Sequence, residues 1–576
     1  MSSTAWAPRE AGRARVVLDG RELTLDDVVR LADASAEPVV PAEALARAHR
    51  SWKAADRLAR AGRLYGRGTG VGAHRSVPVE DPEEAGHGLR LLRSHAGGAG
   101  AELPARHVRA MLAVRANQLL AGGSGIQPAF VTALAEALRL GVHPAVNEYG
   151  GLGTGDLTAL AQTGLTLIGE RPWRTAAPAP GPASASDPGA VPAPGPAAVP
   201  DGAGGPCTPA PPTGPAPAAA PTGPAPAAAP TGPAPAAAPT GPAPATATAA
   251  TSPAVVAPVV PELPAPVVLR PGDALALLSS NALTLGQAAL GCHDLDVLLR
   301  ATHAVAALSL AAVSGSLEAY APEVHALRPY PGAARAAAEV RRLLGGPGGT
   351  GSGGARRIQD PFGFRAFPQA HGPALDAADA LRRVVRTEVN CPSENPLIGA
   401  DGTTAHHHGG FYAAPLGLAL DGLNLALLQT AQLSAARLAA LGRPDLTGLP
   451  AFLASGPAGS SGTMILEYTA NSALAELRAC ALPASAGHAV LSHGLEEAAS
   501  FASQAARQTL RAADAYATVL ACELVTAVRA LRCFREPPRC AVFAVAAAAL
   551  PAGTEDRPLT ADVTAATRLL PVLAGL

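Results

Sequence analysis

Long alanine- and leucine-rich runs with apolar side chains three and four residues apart constrain this chain most. That spacing gathers them on one face of a helix but scatters them over both faces of a strand. Val108 to Leu120 places Met111, Leu112, Val114 and Leu119 in this way, and Pro128 to Leu140 repeats it with Phe130, Val131, Leu134 and Leu138. The pattern returns at Asp376 to Val389, Leu416 to Leu441, Met464 to Leu482 and Glu496 to Leu531, with glycine or proline at the breaks. Only 3% of residues are aromatic although 48% are hydrophobic, so packing falls to Ala, Leu and Val, which suits closely spaced helices. The expected fold is all-α, a bundle of long helices. Arg15 to Thr24 is the exception and predicts a short β-hairpin.

From about residue 175 to residue 266 the composition collapses to Ala, Pro, Gly and Thr. A nine-residue unit, PTGPAPAAA, starts at Pro212, Pro221, Pro230 and, imperfectly, Pro239. Such a tract has too little apolar side-chain surface to offset its ordering entropy and is predicted to be a disordered, partly polyproline-like insert. It separates an N-terminal region, 1–174, from a helical C-terminal region, 267–576. Gly345 to Gly354 reads as a flexible loop and not a phosphate loop, because no lysine-serine/threonine ending follows it.

A formal net charge of −1 without a long basic run argues against nucleic acid as a partner. The N-terminus has no apolar core of signal-peptide length, and Cys540 to Leu550, taken as the most apolar later run, is too short to span a bilayer. A cytoplasmic protein with no membrane partner is expected. The seven cysteines, Cys207, Cys292, Cys391, Cys480, Cys522, Cys533 and Cys540, form no CxxC pair and are expected to be reduced and buried. His406, His407 and His408 sit beside Gly409 and Gly410 and read as an exposed loop, so no metal site is expected.

Five separated segments carry the residues of chemical interest. They are Tyr65-Gly66-Arg67-Gly68-Thr69-Gly70-Val71-Gly72, Ser94-His95-Ala96-Gly97-Gly98, and Gly153-Thr154-Gly155-Asp156-Leu157. Next come Gln359-Asp360-Pro361-Phe362-Gly363-Phe364-Arg365 with Pro368-Gln369 and His371-Gly372, and Glu388-Val389-Asn390 with Ser393-Glu394-Asn395-Pro396-Leu397. In that order they resemble the motifs of the aromatic amino acid ammonia-lyases, the histidine and phenylalanine ammonia-lyase family. The resemblance covers nearly all of the chain outside the insert. It implies the helical bundle of the fumarase/aspartase-like superfamily, a small amino acid as substrate, and a homotetramer whose sites draw residues from several subunits.

The resemblance also assigns roles. Gly153-Thr154-Gly155 matches the triad that cyclises and dehydrates into an electrophilic methylidene-imidazolone, a self-made group that captures the substrate amine. Asp156 and Leu157 open the following helix, whose N-terminal dipole helps to hold negative charge on that ring. Tyr65 matches the base that takes the β-proton, and with a reference pKa of about 10 it needs activation by cationic or dipolar neighbours. Arg365 matches the carboxylate clamp, for which its planar fork is suited. Ser94 and His95 match the pair found in histidine-specific members, and an imidazole can hydrogen-bond another imidazole. Glu496 matches a glutamate of the same members. Gln359, Phe411 and Asn395 belong to the retained substrate pocket, as does Asn390.

The departures from the pattern gather at the reaction centre. Thr154 replaces a serine, so loss of its hydroxyl leaves an ethylidene carbon with a hindering methyl group. Gly153 replaces an alanine and relieves crowding. Phe362 replaces a tyrosine, Ser279 replaces an asparagine with Asn281 two positions on, and Gly68 and Gly410 replace two further asparagines. The expected reaction is that of an ammonia-lyase, L-histidine giving urocanate and ammonia. The alternatives are an aminomutase or a lyase for another aromatic amino acid, and a catalytically silent binding or scaffold subunit.

Overall fold

The computed structural model describes residues 13–62, 64–175, 262–345 and 357–576. Most of the Ala/Pro-rich stretch, most of Gly345 to Gly354, Cys207 and the first twelve residues lie outside the described residues. The described parts on either side of that stretch form a single compact unit.

Eight helices position the site. In chain order they are α1 (Asp81–His95), α2 (Ala105–Ala121), α3 (Leu157–Leu167), α4 (Ala282–Ala312), α5 (Phe367–Glu388), α6 (Ala414–Leu441), α7 (Met464–Cys480) and α8 (Ala502–Arg532). Helix α8 packs on α4, α6 and α7, α2 packs on α4, and α1 lies on α3. The low aromatic content has its consequence here. A Cβ built on Gly286 of α4 would lie 2.9 Å from the backbone of Ala110 and Met111, so α2 and α4 approach more closely than side chains there permit.

Helix α4 is apolar nearly all round because it is buried nearly all round. The stretch Asp273–Ala312 is long and apolar enough to cross a membrane by length and composition, and 78% of its most apolar window is buried inside the bundle, as expected of a core helix. This run is longer than Cys540 to Leu550, which remains the more apolar per residue. The core also holds charge. Arg437 on α6 and Glu523 on α8, both fully buried, pair through Nε–Oε1 at 2.6 Å and Nη2–Oε2 at 2.8 Å, and Ser309 and Ser434 donate to the same carboxylate.

Three local expectations are corrected. Residues 15–24 form no hairpin: strand β1 (Ala14–Val17) pairs in parallel with β2 (Ala36–Val39). The reason is a capping box in which the Thr24 hydroxyl accepts the Asp27 amide and the Asp27 carboxylate accepts the Thr24 amide, which starts a helix at Leu25. The helix expected from Glu496 starts only at Ala502, after Phe501 at φ +53°, because residues 491–496 close a turn through Leu491 N–H to Glu496 O at 2.8 Å. Among the cysteines, Cys292, Cys480 and Cys522 are buried, but Cys391 and Cys533 are exposed.

Candidate active site

A cavity of about 840 Å³ collects most of the residues singled out in the sequence. Tyr65, Ser94, His95 and Thr154 line it, together with Ser279, Asn395, Phe411 and Glu496. They come from the loop after residue 62, the end of α1, the turn before α3 and the segments leading into α4, α6 and α8.

The Tyr65 loop is folded onto itself and onto the 491–496 turn. Gly70 N–H donates to Val77 O at 2.9 Å, and Ala73 N–H donates to Ser492 Oγ at 2.9 Å. The Tyr65 hydroxyl accepts the Gly72 N–H at 2.7 Å, with Gly72 at φ +59°. Burial holds the Tyr65 phenol above its ordinary pKa, and the Glu496 carboxylate pushes the same way, against the Gly72 N–H that favours phenolate. Ser492 and His493 on the facing turn both occupy the left-handed region, a strained backbone state of the kind that collects at functional sites.

His95 ends α1 with its Nδ1 3.0 Å from the Leu91 carbonyl. Ser94 Oγ lies 3.0 Å from the same nitrogen, so Nδ1 is held between two oxygens. Arg90 and His87, one and two turns earlier on α1, also line the cavity, and the His87 Nε2 is buried with no hydrogen-bond partner among the described residues. Neither residue was singled out in the sequence.

Thr154 is presented by a turn whose two glycines are left-handed, Gly153 at φ +79° and Gly155 at φ +111°. Gly155 N–H donates to Asn281 Oδ1 at 3.0 Å, and Asn281 Nδ2 donates to Phe411 O at 2.6 Å. The contact to the triad therefore comes from Asn281, whereas Ser279 turns its hydroxyl to Leu275 O. The Gly153 carbonyl accepts from Ser500 Oγ at 2.9 Å and Ala413 N at 3.1 Å. Asp156 is buried behind the turn, where its carboxylate accepts Thr284 N–H at 2.8 Å and Thr284 Oγ1 at 2.9 Å. Burial holds its pKa above the ordinary range. A triad fixed at both ends, with its middle side chain facing the cavity, fits conversion into an electrophile.

Four residues from the sequence reading stand elsewhere. Gln359, Phe362 and Arg365 do not line this cavity. They are exposed, with the Arg365 guanidinium 4.8 Å from the Phe362 ring centre. The Arg357–Asp360 pair and the bond from Ser316 N–H to Asp360 Oδ2 anchor their segment. Asn390 joins backbone at Leu23 to Asn117 and is a structural link. The histidine run diverges: His406 contacts Thr404, His407 Nε2 lies 3.4 Å from Tyr65 N, and His408 contacts the Glu394 carbonyl. Asn281, noted in the sequence two positions beyond Ser279, does take over the contact to the triad, whereas Ser500 was missed, since one serine before a helix carries no spacing signal.

A helical bundle that presents a turn of two glycines around a hydroxyl residue opposite a tyrosine loop defines a carbon–nitrogen lyase that works on amino acids. Residues 23–186 and 261–551 match the family model for aromatic amino acid lyases, and the chain belongs to that family. It is 32% identical over 567 residues to a histidine ammonia-lyase of Anaeromyxobacter dehalogenans, covering 96% of this chain and 98% of that protein. Its fold is similar to a histidine ammonia-lyase structure from Trypanosoma cruzi, with TM-score 0.76, 24% identity and coverage of 97% and 93%. A tyrosine aminomutase from Streptomyces globisporus superposes with TM-score 0.77 at 25% identity and covers 97% of both chains. The chain is thus an aromatic amino acid ammonia-lyase by descent, on a fold that also serves aminomutases.

Proposed function

We propose that the protein converts L-histidine to urocanate and ammonia. The observation that carries this reading is the imidazole and the carboxylate that share the cavity. His95, held at Nδ1 by Leu91 O and Ser94 Oγ, and the Glu496 carboxylate both line it. A neutral substrate imidazole has one N–H donor and one acceptor nitrogen, which Glu496 and His95 can match between them, and a phenyl side chain leaves both unmatched.

Once converted, Gly153-Thr154-Gly155 would supply an electrophilic carbon for the substrate amine and so make that amine a better leaving group. The chain's own residues do the rest. His95 and Glu496 orient the imidazole, and the Tyr65 phenolate takes the β-proton while Gly72 N–H steadies its oxygen. Asn281 and Ser500 hold the triad, and the Phe411 carbonyl fixes Asn281. Arg365, with Gln359 and Phe362, is exposed and outside its own chain's cavity, which suits a homotetramer in which these residues complete the site of another copy. The reaction needs no metal and is assigned to the cytoplasm.

Incubation with L-histidine while urocanate and ammonia are both measured tests this reading. Equal amounts of the two are expected, with Tyr65→Phe losing on the order of 100-fold or more in rate. Formation of a β-amino acid without free ammonia instead identifies a mutase.

A further inference from the structure

Two side chains from distant parts of the chain meet the triad at the two atoms that matter for its closure. Ser500 Oγ and Ala413 N–H both point at the Gly153 carbonyl oxygen, and Asn281 Oδ1 takes the Gly155 N–H. Ser500 is 4% exposed and Asn281 is 5% exposed, so these bonds form away from competing water. A Cβ added to Gly153 would lie 2.0 Å from Ser500 Oγ and 2.9 Å from Ala502 N. The glycine where the family carries alanine is therefore what lets the Ser500 hydroxyl reach the carbonyl.

We propose that Ser500 and Asn281 drive the cyclisation of Gly153-Thr154-Gly155 in this chain, Ser500 as half of an oxyanion hole and Asn281 as the holder of the attacking amide. The inference rests on Thr154 being the precursor of the electrophile. In the step, the Gly155 nitrogen bonds to the Gly153 carbonyl carbon. That oxygen leaves as water with the amide hydrogens of Gly155 and Thr154, and a double bond forms between the Gly153 carbon and the Thr154 nitrogen. A second water takes the Thr154 hydroxyl and its Cα hydrogen, leaving a Cα=Cβ bond that bears the methyl group. Two waters depart and no oxidant is consumed.

As the Gly153 carbon becomes tetrahedral its oxygen gains charge. The Ser500 hydroxyl and the Ala413 amide already donate to that atom, so little reorganisation is needed when the charge develops. Asn281, itself fixed by Phe411 O, keeps the Gly155 amide from rotating away. This support offsets the crowding that the threonine methyl adds.

The test is the mass of the full-length protein followed over time after synthesis, with thermal melting recorded for each variant. The wild type is expected to become two waters lighter, with the loss confined to the peptide containing residues 153–155. Ser500→Ala and Asn281→Leu are expected to dehydrate on the order of 100-fold more slowly, Ser500→Thr to recover much of the rate, and Gly153→Ala to remain at full mass because its methyl displaces Ser500. Dehydration of Ser500→Ala and Asn281→Leu at the wild-type rate, or failure of Ser500→Thr to recover what Ser500→Ala loses while both remain folded, overturns this inference and leaves the lyase reading standing. A wild type at full mass overturns both.

Discussion

The Tyr65 hydroxyl accepts the Gly72 N–H at 2.7 Å, so the base and the tip of its own loop form one unit. Burial and the Glu496 charge nevertheless hold the phenol above its ordinary value of about 10. The active form is the phenolate, so kcat/KM is expected to rise with pH on the alkaline side. Removing the carboxylate charge lowers the Tyr65 pKa, and Glu496→Gln should move the rising limb to lower pH whatever happens to the plateau. A pH profile of both proteins checks this; an unmoved limb contradicts it.

Thr154→Ser removes the methyl group from the carbon that meets the substrate amine and leaves the turn with the same two glycines. Turnover is expected to increase by about tenfold, a barrier change of about 1.4 kcal/mol. Initial rates at saturating L-histidine measure it.

Glu523 lies fully buried between Arg437 and two serines. Glu523→Ala strands the Arg437 charge in the bundle and is expected to cost about 3–5 kcal/mol. Chemical unfolding reads the loss. Replacing both partners together, with Arg437→Met and Glu523→Leu, should recover most of it, because the penalty belongs to the unpaired charge.

His303 and His371 pack edge to face in the core with ring centres 4.8 Å apart. Burial depresses His303 to about 4 and His371 well below its ordinary value. Both rings are neutral in the fold and ordinary in the unfolded chain. Their contribution is therefore complete above the unfolded value of about 6.5 and is lost as pH falls towards 4, with about 3 kcal/mol at stake for His303 alone. Denaturant melts across that range should show the slope, and His303→Phe should flatten it.

The fold was legible because a helix stripe survives in sequence: Pro128–Leu140 has its expected bounds, and α2, α6 and α7 fall within two or three residues of theirs. Helix α4 left no stripe, since nearly every face is buried. The alanines and glutamates before Ala502 look helical by propensity, yet the turn carrying Glu496 outweighs it. Within the site, Tyr65, His95, Thr154 and Glu496 were readable from motifs and do share one cavity. Ser500 was not, because its importance depends on one backbone atom of a distant turn, and Asn281 was legible only as a neighbour of Ser279. The placement of Arg365 outside the cavity follows from how residues 357–365 pack, which no local spacing encodes.

The most direct measurement is the mass of the peptide spanning Gly153-Thr154-Gly155 from the wild-type protein, before and after borohydride. The account predicts a peptide two waters lighter that then gains two hydrogens. An intact threonine at position 154 in a folded protein would contradict it.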